Sequence, residues 1–313
     1  MKRHGWRTLV SGLVLVAGIT TIGQGVGSAE GAGPPTLEAR ATAEGGRFGF
    51  AVPGFAVVEQ IIDGGGPVAD ARIDALGNSR AFAAFPYPGD HAINGPSNVA
   101  GLAGLPSPPA YPFYAGSTYP LQPDSSTHQP GWDLHARSEE FASEATAAGG
   151  ATSPQATFSH VATSASARRD PHSGAVVSEA SSTVTGFRLG DALNIATVTV
   201  TARAARATLA DTERSSGFRV EGLLVGGQAV TVSETGLSLP GGSAPLPDSS
   251  PVLGGLKAQG ITISYVRARK DPEGVTSAGL LITQDIRSPS GQMLRFTYSF
   301  GRASAQVLSQ SFD

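Results

Sequence analysis

The segment "ALNIATVTVTARAARATL" (residues 192–209) decides the fold, because small apolar and polar residues alternate along it. The apolar positions are Ala196, Val198, Val200, Ala202 and Ala204, and the polar positions are Thr197, Thr199, Thr201 and Arg203. A period of two residues places these two sets on opposite faces of a β-strand. The segment therefore predicts a long strand with one face buried and the other in solvent.

Other long segments alternate in the same way, at residues 156–169, 175–188 and 292–308. In the last of these, the apolar face holds Leu294, Phe296, Tyr298 and Phe300. Strands of roughly 14 to 18 residues exceed the usual length of about 5 to 6, and they extend on the order of 50 Å. Such strands twist and coil in one antiparallel sheet, so we expect a strongly curved sheet or an open barrel.

Turn signals connect these segments. "ARRDPHSG" (167–174), "ARKDPEG" (268–274) and "RSPSG" (287–291) each place Asp or Ser before a proline and a glycine shortly after it. Proline fixes φ at the first turn position, Asp or Ser binds the turn amides, and glycine adopts the left-handed conformation. "GG" at 226–227 marks a two-residue hairpin. These turns predict an antiparallel meander.

One short helix is expected in "PVLGGLKAQ" (residues 251–259). Ser250 is suited to the N-cap, Pro251 to the first helical position, and Gly260 to the C-terminal stop. Each of the two internal glycines costs about 1 kcal/mol relative to alanine, so the helix needs support from the sheet. The predicted fold class is therefore mainly all-β, a long-stranded antiparallel meander with one short helix packed on it.

The N-terminal residues have the pattern of an export signal. Lys2, Arg3 and Arg7 precede the apolar run "TLVSGLVLVAGITTIG", and small residues lead to a cleavage site after Ala29. This pattern predicts a signal peptide at residues 1–29, with an uncleaved anchor as the alternative. We expect a flexible arm at 30–46 and a single β-rich domain at 47–313.

Composition limits the partners and the location. The chain has no cysteine, so it forms no disulfide or thiolate metal site. The predicted mature chain carries 19 Lys and Arg against 25 Asp and Glu, a net charge of −6 with no strong basic cluster, which argues against nucleic acid. No second apolar run is long enough to span a membrane. We expect a protein that is secreted or retained in the cell envelope, without a transmembrane segment after cleavage.

Residues 91–133, the insert, contain eight of the 22 prolines and read as a long irregular loop. Within it, "YPFYAGSTYP" (111–120) has four aromatic residues, whereas disordered segments are poor in them. We expect the insert to cover an apolar trough in the sheet; the alternative is that it completes the core and binds nothing. The predicted ligand-binding residues are Tyr111, Phe113, Tyr114, Tyr119, Phe296, Tyr298 and Phe300.

No pattern assigns a catalytic residue, a metal or a cofactor. "GNSRA" (77–81) has the outline of a nucleophile elbow but ends in alanine and lacks the strand–turn–helix context. His128 and His135 bracket "QPGWDL" and suggest a weak zinc site, but loop polar residues explain them better. Glu139 and Glu140 point to opposite faces of a strand, so they cannot act on one substrate.

Several segments resemble exported actinobacterial proteins of the choice-of-anchor P type. The similar features are "SSTVTGFRLGDALNIATVTVTARA", the hairpin in "LLVGGQAVTVSETGLSL" and the helix ending in "PVLGGLKAQGITISYV", across residues 155–310; "AFAAFPYPGD" is also similar. The resemblance implies an envelope or extracellular β protein and supplies no catalytic residues. The C-terminal run "GRASAQVLSQSFD" shows no anchor, so we expect non-covalent retention or a soluble chain.

Three functions stay open. The first is a non-enzymatic structural or interaction protein of the envelope, which predicts a filled core and an exposed pairing edge. The alternative is a carrier of a lipid, glycolipid or other apolar molecule, which needs a connected cavity lined by the aromatic residues. The third is a hydrolase with an unrecognised site, which a cleft with several shifted pKa values would support. The oligomeric state stays open in all three.

Overall fold

The computed structural model describes residues 36–310 except 56–59, 107, 110, 153–155, 208–210, 243 and 248. The predicted signal peptide at 1–29 and the first residues of the predicted arm lie outside the described residues. Within them the chain is mostly antiparallel β-structure with two helices. The predicted all-β class with a short helix is therefore confirmed.

The described residues up to 189 contain nine strands and a helix: β1 Thr36–Ala51, β2 Gln60–Ile73, β3 Ser79–Ala84, α1 Asp90–Leu102, β4 Tyr114–Thr118, β5 Asp124–Gln129, β6 Trp132–Glu139, β7 Ala142–Thr152, β8 Ala156–Arg169 and β9 Val176–Leu189. The described residues after 189 contain β10 Leu193–Arg206, β11 Glu213–Val225, β12 Gln228–Ala229, β13 Thr231–Ser233, β14 Gly236–Ser238, α2 Pro251–Ala258, β15 Ile261–Val266, β16 Arg269–Asp271, β17 Gly274–Thr276, β18 Gly279–Arg287 and β19 Met293–Gln310.

The strands form two large antiparallel sheets that face each other. The nine-stranded sheet has the order β15-β18-β19-β1-β2-β3-β4, with β17 also paired to β19 and β16 to β17. The eight-stranded sheet has the order β12-β11-β10-β9-β8-β7-β6-β5 and is a meander throughout. Strands β1, β2 and β19 pack on β8, β9 and β10. The apolar faces thus cover each other, where we had expected one curved sheet with a separate cover.

The predicted turns form as their sequences indicate. Asp170 accepts hydrogen bonds from the amides of His172 (2.8 Å) and Ser173 (3.2 Å), and Asp271 accepts one from the amide of Glu273 at 3.1 Å. Helix α2 begins as predicted, because the Ser250 hydroxyl accepts a hydrogen bond from the Leu253 amide at 3.3 Å.

The predicted flexible arm at 30–46 is wrong for the described residues, because 36–46 belong to β1. This strand lies between β19 and β2, where Ala39, Ala41 and Ala43 are almost fully buried. The alanine, threonine and glycine of "ATAEGG" look weakly hydrophobic in sequence. They suit a strand that is buried between two closely packed sheets, since larger side chains would not fit there.

The irregular insert predicted at 91–133 is also wrong. Its residues form helix α1, strands β4 and β5 and the start of β6. The segment "ARSEEFASEATAAGG" turns at residues 140–141 and forms a β6–β7 hairpin inside the eight-stranded sheet.

The inward-facing positions shift by one residue midway along the long strands. On β19, Tyr298 and Phe300 point inward, and after Gly301 the inward residues are Ala303 and Ala305. Gly301 has φ 83°, a conformation that favours glycine. On β10 the shift falls at Ala196, which is exposed instead of sharing the buried face with Val198 as we had predicted.

This shift divides the core into two ends. The alanine end is built mainly from alanine, and its members include Ala41, Ala43, Ala71, Ala83, Ala165, Ala204 and Ala305. The aromatic end is built from large side chains, and its members include Phe187, Ile195, Leu223, Ile282, Tyr298 and Phe300. The two ends place large residues on opposite sides of the sheets, and this decides where the candidate site lies.

Candidate functional site

The predicted ligand-binding residues of β19 lie in or beside the packed core. Tyr298 is 2% exposed and Phe300 is 1% exposed, and their ring centroids lie 5.5 and 4.6 Å from that of Phe187. Phe296 is half-buried and packs on Phe48 and Phe50 at 6.3 and 5.1 Å. These rings fill the space between the two sheets at the aromatic end.

The predicted residues of the insert occupy a different part of the molecule. The Tyr111 ring contacts Phe113 edge-on at 5.6 Å, and Phe113 contacts Trp132 at 5.3 Å. The Tyr111 hydroxyl donates a hydrogen bond to the Pro86 carbonyl at 3.0 Å, and burial raises its pKa. Tyr119 is 37% exposed. Three of the four insert residues therefore act in local packing or lie in solvent.

The structure does not bring the two predicted groups together. Tyr114 lies on β4, and β1, β2 and β3 separate this strand from β19. Four strand spacings amount to roughly 19 Å. The inward direction of Tyr298 and Phe300 also separates them from Tyr114, which faces outward. The geometry gives no connected apolar site lined by all seven residues.

The outer face of the nine-stranded sheet at the alanine end carries the candidate site. Its residues alternate with the buried alanines of β1, β2, β3, β4 and β19, and pairing aligns them in rows. One row is Gln306, Arg40, Arg72, Arg80 and Thr118, and the next is Ser304, Thr42, Asp70, Phe82 and Gly116. We call this surface the outer groove.

Three stacked aromatic rings, the aromatic platform, line one part of the outer groove. Phe82 lies between Tyr87 and Tyr114, with centroid distances of 5.6 and 5.7 Å and interplanar angles of 25° and 21°. The tip of the Tyr114 ring occupies the space above Gly116, where a Cβ would come within 2.5 Å of Cε1. Tyr114 therefore extends along its strand, and the other two rings are nearly parallel to it.

The outer groove is large enough for a small molecule or part of a polymer. A cavity of about 380 Å³ is lined by Phe82, Tyr114, Asp70, Arg72 and Arg80, among others. Adjoining cavities of about 400 and 390 Å³ extend it across β1 and β19. The first two share Arg72 and Arg80 in their linings and the last two share Arg40, so the three lie next to one another on the sheet.

A buried carboxylate holds the arginines of the outer groove in place. Asp70 is only 2% exposed, although its strand position faces outward. It accepts hydrogen bonds from Thr42 Oγ1 at 2.6 Å and from Arg72 Nε and Nη2 at 2.5 and 3.1 Å, and Arg40 Nε lies at 3.7 Å. A buried charge needs such partners to offset the loss of hydration. Arg72 is thereby fixed in position, whereas Arg40 makes only a longer ion pair with Asp70.

Arg80 differs from its neighbours in the row. It makes no ion pair or side-chain hydrogen bond with any residue that the structure describes, and it is exposed. Arg80 lines the cavity together with Phe82 and Tyr114. A planar guanidinium with free donors is suited to bidentate binding of a carboxylate or phosphate.

A second carboxylate lies further along the outer groove. Glu44 is 9% exposed, and its carboxylate lies over Gly65, where a Cβ would come within 2.1 Å of Oε1. Arg47 Nη1 and Arg302 Nη1 approach it only to 3.5 and 4.0 Å, so burial dominates and raises the pKa of Glu44. Arg47 donates two hydrogen bonds of 2.6 Å to the Asp63 carboxylate, and they lower the pKa of Asp63.

The other candidates from the sequence do not form a site. His128 and His135 bind separate carboxylates, Asp133 and Asp124, each at 3.1 Å. In the part of the chain that the structure describes, no three metal-binding side chains converge. Glu139 binds Arg137 at 2.5 Å.

Sequence reasoning found Tyr114 and missed the rest of the aromatic platform. The signal was present in "SRAFAA" (79–84), where buried Ala81 and Ala83 alternate with Arg80 and Phe82. Period two places a phenylalanine on the polar face of this strand, which is unusual unless the ring has a partner. Tyr87 joins the platform through backbone hydrogen bonds with Gly65, which no local pattern shows.

Comparisons with known proteins add no functional information. No family model matches the chain, and no curated protein matches it. Among solved structures, it is similar to OccK2 (OpdF) of Pseudomonas aeruginosa at 9% identity, over 87% of this chain and 98% of that one, with a TM-score of 0.13. This likeness carries no argument about fold or function. No helix in the described part of the chain has the length and hydropathy to cross a membrane.

Proposed function

We propose that this protein is an exported, non-enzymatic interaction protein that holds a component of the cell envelope against the outer groove. The observation that carries the proposal is the aromatic platform, three nearly parallel rings placed on the solvent side of a sheet beside ordered arginines. Exposed aromatic and arginine side chains together are typical of binding surfaces. The export pattern at residues 1–29 supports the location.

Rigidity supports the same proposal. The groove residues lie on β1, β2, β3, β4 and β19, whose backbones are paired on both sides apart from the edge strand β4. Asp70 additionally fixes Arg72 through two hydrogen bonds. A site on paired strands loses little conformational freedom when it binds, which favours recognition of an extended partner.

The unpaired edge of strand β11 also supports a function in protein interaction. Strand β11 pairs with β12 only at Leu224 and Val225. Among the described residues, Glu213–Gly222 have no strand partner on that side. Unpaired amides and carbonyls along such an edge form a surface for another chain, and the charged Arg214, Arg219 and Glu221 limit non-specific pairing.

Co-sedimentation of the mature protein with envelopes of the producing cells tests the proposal. The double variant Phe82→Ala/Tyr114→Ala removes the platform, and Thr183→Ala/Thr199→Ala alters the outer face of the eight-stranded sheet as the matched control. We expect the first variant to lose at least tenfold in bound fraction and the control to bind like the natural protein. Equal sedimentation of all three would reject the outer groove as the binding surface.

Glu44 and Asp63 favour hydrolysis as a second candidate function. Arg47 contacts both carboxyl groups, and their pKa values shift in opposite directions, upward for Glu44 and downward for Asp63. Such divergence is found in pairs that divide acid and base roles. Release of reducing ends from polysaccharides by the natural protein, lost in Glu44→Gln, would support it. No release at any pH between about 4 and 8 would reject it.

A further inference from the structure

The aromatic platform has the geometry that recognises a sugar ring. One face of a pyranose consists of C–H groups, and it packs on a flat aromatic surface that has few competing polar atoms. Phe82 and Tyr114 are half-buried, so part of each ring borders the cavity. Gly116 makes this possible, because any side chain there would displace the Tyr114 ring.

Polar side chains line the same cavity as the rings of Phe82 and Tyr114. The cavity of about 380 Å³ is bordered by Asp70, Arg72, Thr118 and Gln122 as well as by the two rings. An apolar floor with a few polar groups at its margin is the usual form of a small-molecule site. Because Asp70 holds Arg72 in one orientation, the polar margin is set before a ligand arrives.

The adjoining cavities indicate a polymer and not a single sugar. The three cavities run from β4 to β19, roughly 19 Å across the sheet. A chain of sugars could continue from the platform past Arg40 to Arg302. This arrangement of cavities fits an extended glycan that lies across the strands.

The positive charge of Arg80 indicates which class of glycan would bind. Arg40 and Arg72 share Asp70, whereas Arg80 has no acidic partner among the described residues and lies beside the platform. A carboxylate on the sugar would supply that partner through two parallel hydrogen bonds. We propose that the aromatic platform and Arg80 bind a polysaccharide that contains uronic acid, an inference that rests on the proposed function of the outer groove.

Affinity electrophoresis of the mature protein in gels that contain polygalacturonate or alginate tests this inference, with dextran and pullulan as neutral polymers. We expect retardation by an acidic polymer and none by the neutral ones. Phe82→Ala and Tyr114→Ala should each weaken binding at least tenfold, and Arg80→Gln should do the same for the acidic polymer. Thr199→Ala, on the other sheet, should bind like the natural protein. Phe82→Leu replaces Phe82→Ala if the latter does not fold.

Two results overturn the inference. The first is absence of retardation by both acidic polymers, and the second is equal retardation by neutral polymers with no effect of Arg80→Gln. Envelope co-sedimentation separates this failure from failure of the proposed function. If envelopes still bind in a way that depends on Phe82 and Tyr114, the outer groove is the binding surface and only the glycan class is wrong. If envelope binding is unchanged by substitution of both residues, the proposed function fails as well.

Discussion

The alanine end and the aromatic end of the two-sheet core place their large side chains on opposite faces of the sheets. At the aromatic end, Tyr298 and Phe300 point inward and fill the space between the sheets. At the alanine end, small residues such as Ala83 point inward and the large Phe82 points outward. The rings of the aromatic platform lie where the core behind them is built from small residues. The comparison explains why the candidate site lies at the alanine end.

The boundary between the two ends depends on close approach of the sheets. A Cβ at Gly301 would lie 2.5 Å from Cγ1 of Val200, and one at Gly45 would lie 2.2 Å from Cγ1 of Val161. Both valines belong to the opposite sheet. Glycine at these positions allows the inward face to shift by one residue while the sheets remain in contact.

The largest effect is expected from truncation at the aromatic end. Phe187 is 1% exposed and contacts Phe158, Tyr298 and Phe300. Phe187→Ala leaves a cavity that rigid strands on both sides cannot fill, so we expect a loss of about 4 kcal/mol in the free energy of unfolding. Urea denaturation measures it. A loss below about 1 kcal/mol would show that the aromatic end is loosely packed.

Gly301→Ala tests the boundary. Its φ of 83° strains any other residue, and the new Cβ meets Val200, so we expect a loss of about 3 kcal/mol. Gly77→Ala is the matched control, because Gly77 has a φ of 86° and no atom within 4 Å of the added Cβ. It should cost only about 1 kcal/mol. Equal losses in the two variants would mean that the sheets do not approach closely at Gly301.

Tyr298→Phe should stabilise the protein. The Tyr298 hydroxyl is buried without a hydrogen-bond partner, and burial raises its pKa to about 12. Removing an unsatisfied buried hydroxyl is expected to raise the free energy of unfolding by about 1 kcal/mol. Tyr119→Phe, at an exposed position, should change it little. A destabilised Tyr298→Phe would indicate that the hydroxyl is bound to water.

Glu44→Gln should change the free energy of unfolding least, and the change should depend on pH. Burial raises the pKa of Glu44 in the folded state. The contribution of this carboxyl group to the free energy of unfolding is therefore complete at low pH, and it is lost as the pH rises through the folded-state pKa. The variant should therefore gain stability relative to the natural protein between about pH 4 and pH 7. Asp285→Asn should show the opposite trend, because Arg295 lowers the pKa of Asp285. Parallel curves for Glu44→Gln and the natural protein would contradict the raised pKa.

Local pattern predicted the strands and turns well, because alternation and the Asp-Pro and Gly-Gly signals depend on neighbours in sequence. It failed for β1, because "ATAEGG" becomes a central strand only through pairing with β19 and β2. The pattern also placed Ala196 on the buried face, because no local sequence feature marks the one-residue shift of the inward face opposite Gly222. Two facing sheets follow from long-range contacts that alternation alone does not specify.

The site was harder to predict than the fold. Aromatic residues were assigned to one apolar trough because hydrophobicity alone does not say which face of a strand is inside. Tyr298 and Tyr114 are both aromatic residues on strands, yet one lies in the core and the other on the surface. Small residues alternate with both of them, so the size of the neighbours does not tell the two apart. Reading those neighbours, Ser299 and Gly301 for one and Ala115 for the other, would still have required the sheet order.

Hydrogen exchange by mass spectrometry, with and without solubilised envelope glycans, tests the central claim most directly. If the outer groove is the binding surface, peptides that cover Ser79–Ala84 and Tyr114–Thr118 should exchange more slowly in the complex, and peptides from β9 and β10 should not change. Phe82→Ala should abolish the protection. Protection confined to the eight-stranded sheet, or binding that leaves β3 and β4 unchanged, would contradict the account.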